Sequence, residues 1–295
     1  MMANRIFVMV LLWSFTIQCV AQETDSSHTK PDQKKLRSFI IIGGTGYAAA
    51  LVGLDQLWYK EAGRQPFTFF NDSRQWKQVD KAGHFFSAFH ISQATSKSLQ
   101  WCNVNTNKAN FWGSVTGFLM LLPIEVLDGF SEDYGASASD LLANTGGSVF
   151  YFGQTALWNE VRIHPKLSFQ RTTYPGLRND NTLGNGLISE LVKDYNGQTY
   201  WLSVDVDKFI KFPKWLNVAV GYGADGMVYA TDQQNQTAGY SAHRQYYVGL
   251  DFDLSHIKTR SKALNTALYI LNLIKLPAPA LEFSNGSVSV NVLQF

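Results

Sequence analysis

At Trp158 the sequence changes texture, and that break dictates the architecture. Before it, apolar residues come in four long runs, at about 38–60, 79–101, 110–128 and 138–158. Each run is long enough for a helix and too long for an ordinary strand. After it the runs shorten to 166–174, 199–206, 216–223, 244–254 and 287–295. These are rich in β-branched and aromatic residues, and Asn, Gly, Pro and Asp separate them. The expectation is an α+β chain: an antiparallel helical bundle of about four helices over 38–160, then a β-rich half over 161–295, as a partial sheet or incomplete barrel. Five or six strands fall short of the roughly eight that a bacterial transmembrane barrel needs. Residues 261–275 read as a short amphipathic helix.

The N-terminal 22 residues have the layout of a signal peptide. Arg5 is followed by the apolar run IFVMVLLWSF (6–15), too short to span a bilayer, and a small residue, Ala21, precedes Gln22. Cleavage there discards Cys19 and leaves Cys102 unable to form an internal disulfide. Residues 23–37 are polar, lack an apolar period and read as a flexible linker. The formal net charge of +2 provides no basic excess for a nucleic-acid backbone, so nucleic acid is excluded as a partner. With charged residues at 16% and aromatics at 14%, the composition suits contact with membrane lipid or another envelope component. Trp58, Trp76, Trp101, Trp112 and Trp158 fall near helix ends, where an interfacial belt would place them. Gly113 and Gly117 form a small-xxx-small spacing that lets helices approach closely.

Polar residues recur inside the apolar runs. Asp80 and His84 are four apart on the second helix, with Lys81 beside them; Glu125 and Asp128 are three apart at the end of the third. On the fourth, Asp140 and Asn144 are four apart, and Ser148, Tyr151 and Thr155 continue their stripe. If consecutive helices run antiparallel, all of these reach the same end, together with Asp55. Carboxylates gathered this closely require a cation, a shared proton or a basic partner. Lys81, His84 or a bound divalent metal would meet that need. The proposed roles are Asp80 and His84 as a catalytic acid/base or ligand pair, with Lys81, Glu125, Asp128, Asp140 and Asn144 binding. Each residue also admits a structural role: Asp140 follows Ser137 at capping-box spacing, and Asp80 lies in a first helical turn where the dipole favours a carboxylate. His90, six residues past His84, is roughly 240° around the helix, so the pair does not form a bidentate site.

The segments DKAGHFF (80–86), Glu125 with Asp128, and SASDLLANTGG (137–147) resemble the YfiM-like periplasmic lipoproteins, and more distantly the VanZ-like membrane proteins. The resemblance covers about residues 38–160. It touches Asp80, Lys81, His84, Phe85, Glu125, Asp140, Asn144 and Gly147, and leaves 161–295 outside. It implies residence in the envelope of a Gram-negative-type bacterium, in the periplasm or at the outer membrane, and it brings no established reaction. The resulting expectation is an exported, membrane-associated protein with a polar head-group or metal site at one end of the bundle. Two alternatives stand beside it: a scaffold whose polar cluster is structural, and a hydrolase or transferase acting on envelope lipid or glycan.

Overall fold

The computed structural model describes residues 30–55, 63–132 and 135–294. The expected signal peptide, Cys19 and Trp58 lie outside the described residues. The chain is helical in its N-terminal part and strand-rich in its C-terminal part, an α+β fold.

Helix α1 (Gln33–Leu54) begins at Asp32, whose carboxylate accepts from the Lys34 and Lys35 amides at 3.0 and 3.1 Å. The polar stretch expected to run as a linker to 37 therefore turns helical at Gln33. α1 is not packed as an equal member of a four-helix bundle. Ile40, Ile41, Ile42 and Val52 are 55–62% exposed. Gly43, Gly44 and Gly46 offer α1 no side chain to bury. It is tied down by Tyr47, whose hydroxyl donates to the Met120 carbonyl at 2.6 Å, and by Ala50 and Leu51.

Helices α2 (Val79–Trp101), α3 (Thr106–Leu119) and α5 (Ala138–Trp158) pack on one another, and the short α4 (Leu122–Gly129) lies between α3 and α5 in sequence. The third expected helix is thus two. Pro123 sits in the first turn of α4, where its missing N–H costs nothing. Close approach explains the glycines. A Cβ on Gly117 would lie 2.6 Å from the Ala88 carbonyl oxygen, one on Gly113 2.6 Å from that of Ser92, and one on Gly147 2.1 Å from that of Phe85. By length and composition, Gln33–Gly53 and Thr106–Gly129 could each cross a membrane. The second is 39% buried and interrupted between α3 and α4.

The strands are β1 (Ile163–Phe169), β2 (Gln198–Val204), β3 (Leu216–Asp225), β4 (His243–Phe252), β5 (Ala278–Ser284) and β6 (Ser287–Gln294). They form one antiparallel sheet in sequence order. Short helices α6 (Leu187–Lys193), α7 (Asp232–Thr237) and α8 (Lys262–Leu271) lie in the connections. β5 was not among the expected strands, because Pro277 and Pro279 break its pattern. The β5–β6 turn is Asn285-Gly286, with φ of 50° and 73°. The sheet curls until the approach to β5 meets β1. Leu167 N–H donates to the Leu273 carbonyl at 3.0 Å, and Lys275 N–H donates to the Leu167 carbonyl at 2.9 Å.

The two faces of the sheet differ in what they bury. The enclosed face holds Trp201, Ala219, Tyr247 and Ala280 together with Lys166, Ser203, Asn217 and Asp251. Lys166 Nζ pairs with Asp251 Oδ2 at 2.7 Å, and Ser203 Oγ donates to the same oxygen at 2.6 Å. The opposite face is apolar. α2 covers it over β1 and β2, where Phe86, Ile91, Leu121, Leu167 and Tyr200 pack together. Further across, the register-paired Val220, Val248, Leu281 and Val290 are 40–71% exposed. Of the four described tryptophans expected at an interface, one is core. Trp76 is buried against Tyr195, Trp101 and Trp158 are half-buried under Lys35 and Arg162, and Trp112 is exposed.

Candidate functional site

The start of α2, the whole of α4 and the start of α5 meet at one end of the helical half, joined there by the loop carrying Asp72. α2 is entered through Trp76, Lys77 and Gln78, all left-handed with φ of 48°, 48° and 64°. Such conformations cost roughly 1–2 kcal/mol per residue outside glycine. The β half holds them. Tyr222 hydroxyl donates to the Lys77 carbonyl, Arg244 Nη2 donates to Gln78 Oε1 at 2.6 Å, and Trp76 N–H donates to the Ala230 carbonyl at 2.8 Å. Asp80 and Lys81 follow directly on this clamped turn.

Lys81 is the hub. Its ammonium lies 2.6 Å from Asp72 Oδ2, 2.9 Å from Asp80 Oδ2 and 2.6 Å from Asp140 Oδ1. Asp72 is also the acceptor for Ser137 Oγ at 2.5 Å and Ser139 Oγ at 2.8 Å. Ser137 caps α5, accepting from the Asp140 amide at 3.1 Å. The reciprocal half of a capping box is supplied by another helix: the Ser137 amide donates to Glu125 Oε2 at 3.3 Å, which leaves the Asp140 carboxylate for Lys81. His84 is fully buried. Its Nδ1 is 3.0 Å from Asn144 Oδ1 and 3.8 Å from Glu125 Oε1, and its Nε2 is 3.6 Å from Asp140 Oδ2. Asp128 is buried beside them.

Asp80, Lys81, His84, Glu125, Asp128, Asp140 and Asn144 are therefore drawn together. Asp55 is not: it pairs with Arg64. Ser148, Tyr151 and Thr155 serve helix packing, with Tyr151 hydroxyl donating to Asn110 Oδ1 at 3.0 Å. His90 faces away, its Nε2 bonded to the Pro165 carbonyl at 2.8 Å. Sequence reasoning missed Asp72, Ser137 as a ligand of Asp72, and Ser139. Asp72 sits in a loop with no periodicity to betray it; only the adjacent turn residues Asn71 and Ser73 mark the spot.

The electrostatics follow from burial. Lys81 pairs directly with Asp72, Asp80 and Asp140, and Glu125 and Asp128 are buried nearby. Burial would raise Asp72, but Lys81 and the two serine hydroxyls override it and hold it below its usual range. Burial raises Asp80 against the opposing pull of Lys81. Glu125 is pushed up to about 9 by burial and by the Asp140 and Asp128 charges. Burial lifts Asp140 to about 7 against Lys81. Burial, then Lys81, lowers His84 to about 4, so its ring is neutral. Lys81 is raised because its three carboxylates outweigh its own desolvation. Among the described residues, Asp80 Oδ1, His84 Nε2, Glu125 Oε1 and Asp140 Oδ2 are buried without hydrogen-bond partners. Asp140 Oδ1 makes no hydrogen bond of good angle but does make the close ion pair with Lys81, which governs its energy. The set can hold a cation, move a proton between carboxylate and imidazole, or receive a positively charged group.

Residues 68–154 match the model of a family described as predicted periplasmic lipoprotein (DUF2279). The match spans the loop bearing Asp72 and every site residue on α2, α4 and α5. This part of the chain is thus similar to an uncharacterised group of predicted periplasmic envelope proteins, and that description names no reaction. No curated protein sequence and no solved structure matches the chain.

Proposed function

We propose that this chain is an envelope protein seated on a membrane, holding the polar head group of a lipid or lipid-like envelope molecule at the carboxylate–histidine end of its helical half. One observation carries the reading: exposed aromatic rings border the buried charges. Phe67, Phe69, Phe70 and Phe130 are 41–73% exposed, and Phe67 stacks edge-on against both Phe69 and Phe130. Phe70 and Phe130 are each two residues from a buried carboxylate, Asp72 and Asp128. The 64–70 segment is fixed to the site by backbone bonds, from the Thr68 amide to the Gly129 carbonyl at 2.8 Å and from the Phe70 amide to the Ala136 carbonyl at 2.9 Å. Contiguous exposed apolar patches mark surfaces that a ligand, a protein or a membrane covers. In the interfacial layer of a bilayer they would bury apolar area and leave the polar site at head-group depth. The exposed apolar residues Val220, Val248, Leu281 and Val290 on the outward face of the sheet, with buried charged and polar groups on its inward face, support the outer membrane as that bilayer.

In this reading Asp80 and His84 form the acid/base or ligand pair at the head group. Lys81, Glu125, Asp128, Asp140 and Asn144 hold and orient it. The carboxylate excess favours a head group that brings positive charge, as an amine or a metal-bridged phosphate. The test is co-sedimentation with vesicles of phosphatidylethanolamine and phosphatidylglycerol. Binding by the wild type and its loss in Phe67→Ser/Phe69→Ser/Phe70→Ser is expected; equal binding by both proteins rejects the reading.

A scaffold role is favoured by a different observation, the full use of Lys81 by three carboxylates. It predicts that His84→Ala mainly lowers the melting temperature and leaves vesicle binding intact. An enzyme acting on envelope lipid or glycan is favoured by Asp140, which burial leaves near neutrality beside the imidazole. It predicts turnover of the bound molecule that vanishes in His84→Ala while binding persists.

A further inference from the structure

We propose that His84, Glu125 and Asp140 bind one divalent transition-metal ion. The proposal rests on the reading of this end as a binding site and names what occupies it. One ligand atom from each of the three residues lies within 4.8 Å of the other two. The side chains are 0–2% exposed.

The unpartnered atoms point to the ion. With the Asn144 amide oxygen toward Nδ1, the Nδ1 nitrogen carries the imidazole proton and donates it at 3.0 Å. Nε2 then presents a lone pair, and the nearest charged atom is Asp140 Oδ2 at 3.6 Å, another electron-pair donor. Neither has a hydrogen-bond partner, and neither does Glu125 Oε1. An unsatisfied buried polar atom costs about 1–3 kcal/mol, more when charged. A cation between Nε2 and Asp140 Oδ2 removes that cost for both, and Glu125, whose Oε1 lies 3.8 Å from the same imidazole at Nδ1, is the third carboxylate-or-imidazole group within reach of it. Two ligands about 2.1 Å from one ion and 3.6 Å apart subtend roughly 120°, close to the tetrahedral angle that zinc prefers.

The surroundings are those of a metal-bound histidine. A ligating imidazole donates its other N–H to a carbonyl or carboxylate, which fixes ring and tautomer; Asn144 Oδ1 fills that role here. Glu125 is held through its second oxygen by the Ser137 amide, and Asp140 through its second oxygen by Lys81. Among the described residues, the other carboxylate group that is close enough, Asp72, Asp80 and Asp140, already surrounds Lys81 Nζ. The ammonium stands where an ion would sit, so one metal is expected rather than two. Mixed imidazole and carboxylate donors suit Zn2+, Mn2+ or Fe2+ over the all-oxygen ions.

The experiment uses the full chain, freed of metal by chelation and titrated with Zn2+ alone by calorimetry, with metal content read after dialysis. One zinc per chain is expected. His84→Gln and Glu125→Gln should each weaken binding at least roughly 100-fold, and Asn144→Ala roughly tenfold, as loss of an outer partner does. His164→Gln removes a histidine that pairs with Asp205 outside the site and should leave zinc binding intact. Absence of zinc from the wild type, or equal affinity in His84→Gln and Glu125→Gln, overturns the proposal. If His84→Gln does not fold, Glu125→Gln, which keeps the side-chain volume, decides it. Vesicle sedimentation of the same samples separates the two readings. Zinc binding without vesicle binding rejects the membrane seat alone, and vesicle binding without zinc rejects the metal alone.

Discussion

Lys81 and His90 sit nine residues apart on α2 and show how burial sets the worth of a charge. Lys81 neutralises three carboxylates that have almost no access to water. Removing one partner from a buried ionic group typically costs about 3–5 kcal/mol, because the charges left behind are uncompensated. Lys81→Met should therefore lower stability by about that amount, read as a fall in the urea midpoint at neutral pH. A midpoint within error of wild type would mean that the carboxylates are already protonated. His90 makes the opposite case. Burial lowers it to about 3, while its Nε2–H is held by the Pro165 carbonyl. The folded value lies below the unfolded 6.5, so in that interval the unfolded chain takes up a proton that the folded chain refuses. Its contribution is complete above pH 6.5 and falls by about 1.4 kcal/mol per unit on acidification toward 3. Urea midpoints at pH 7 and pH 5 should show this loss, and His90→Gln should flatten the slope. A slope unchanged in the variant would assign the acid lability to other groups.

At the scale of elements, the helical half is assembled by small residues. Gly113 and Gly117 on α3 and Gly147 on α5 press against the backbone of α2, and no side chain fits between. Gly117→Ala places a methyl group 2.0 Å from Ser92 Oγ and 2.6 Å from a backbone carbonyl, and should cost about 1–3 kcal/mol. Gly153 on the same α5 as Gly147 has nothing within 4 Å, so Gly153→Ala should be neutral or add up to about 1 kcal/mol. Thermal melts of the two variants give the comparison; equal effects would show that the helices are not in close contact. The small-xxx-small spacing was visible in the sequence because it depends only on residue size and period. The behaviour of α1 was not. Its run is as apolar as the others, and only the exposure of Ile40, Ile41, Ile42 and Val52, seen once neighbours are in place, sets it outside the packed group.

For the whole molecule, the decisive contact is between halves. The left-handed turn at Trp76–Gln78 that delivers Asp80 and Lys81 is held by Tyr222, Arg244 and the Ala230 carbonyl, all from the strand-rich part. A chain ending after Trp158 should therefore lack a cooperative thermal transition, and Arg244→Ala in the full chain should lower the melting temperature. A cooperative melt of the shortened chain would show the site to be self-supporting. The sequence by itself determined the division at Trp158, the helical identity of 79–101 and 138–158, and the end of the helices at which Asp80, His84, Glu125, Asp128, Asp140 and Asn144 gather. The length of an apolar run and short connections are local properties, and they suffice for that. Tertiary structure alone decided that Asp72 joins the cluster, that Asp55 leaves it for Arg64, and that Glu125 takes over the capping partner expected of Asp140. It also decided that Trp76 is core while Phe67, Phe69 and Phe70 form the exposed rim. Those outcomes depend on which groups are left unpaired when distant segments meet, and a buried charge is settled only by the neighbours that folding brings to it.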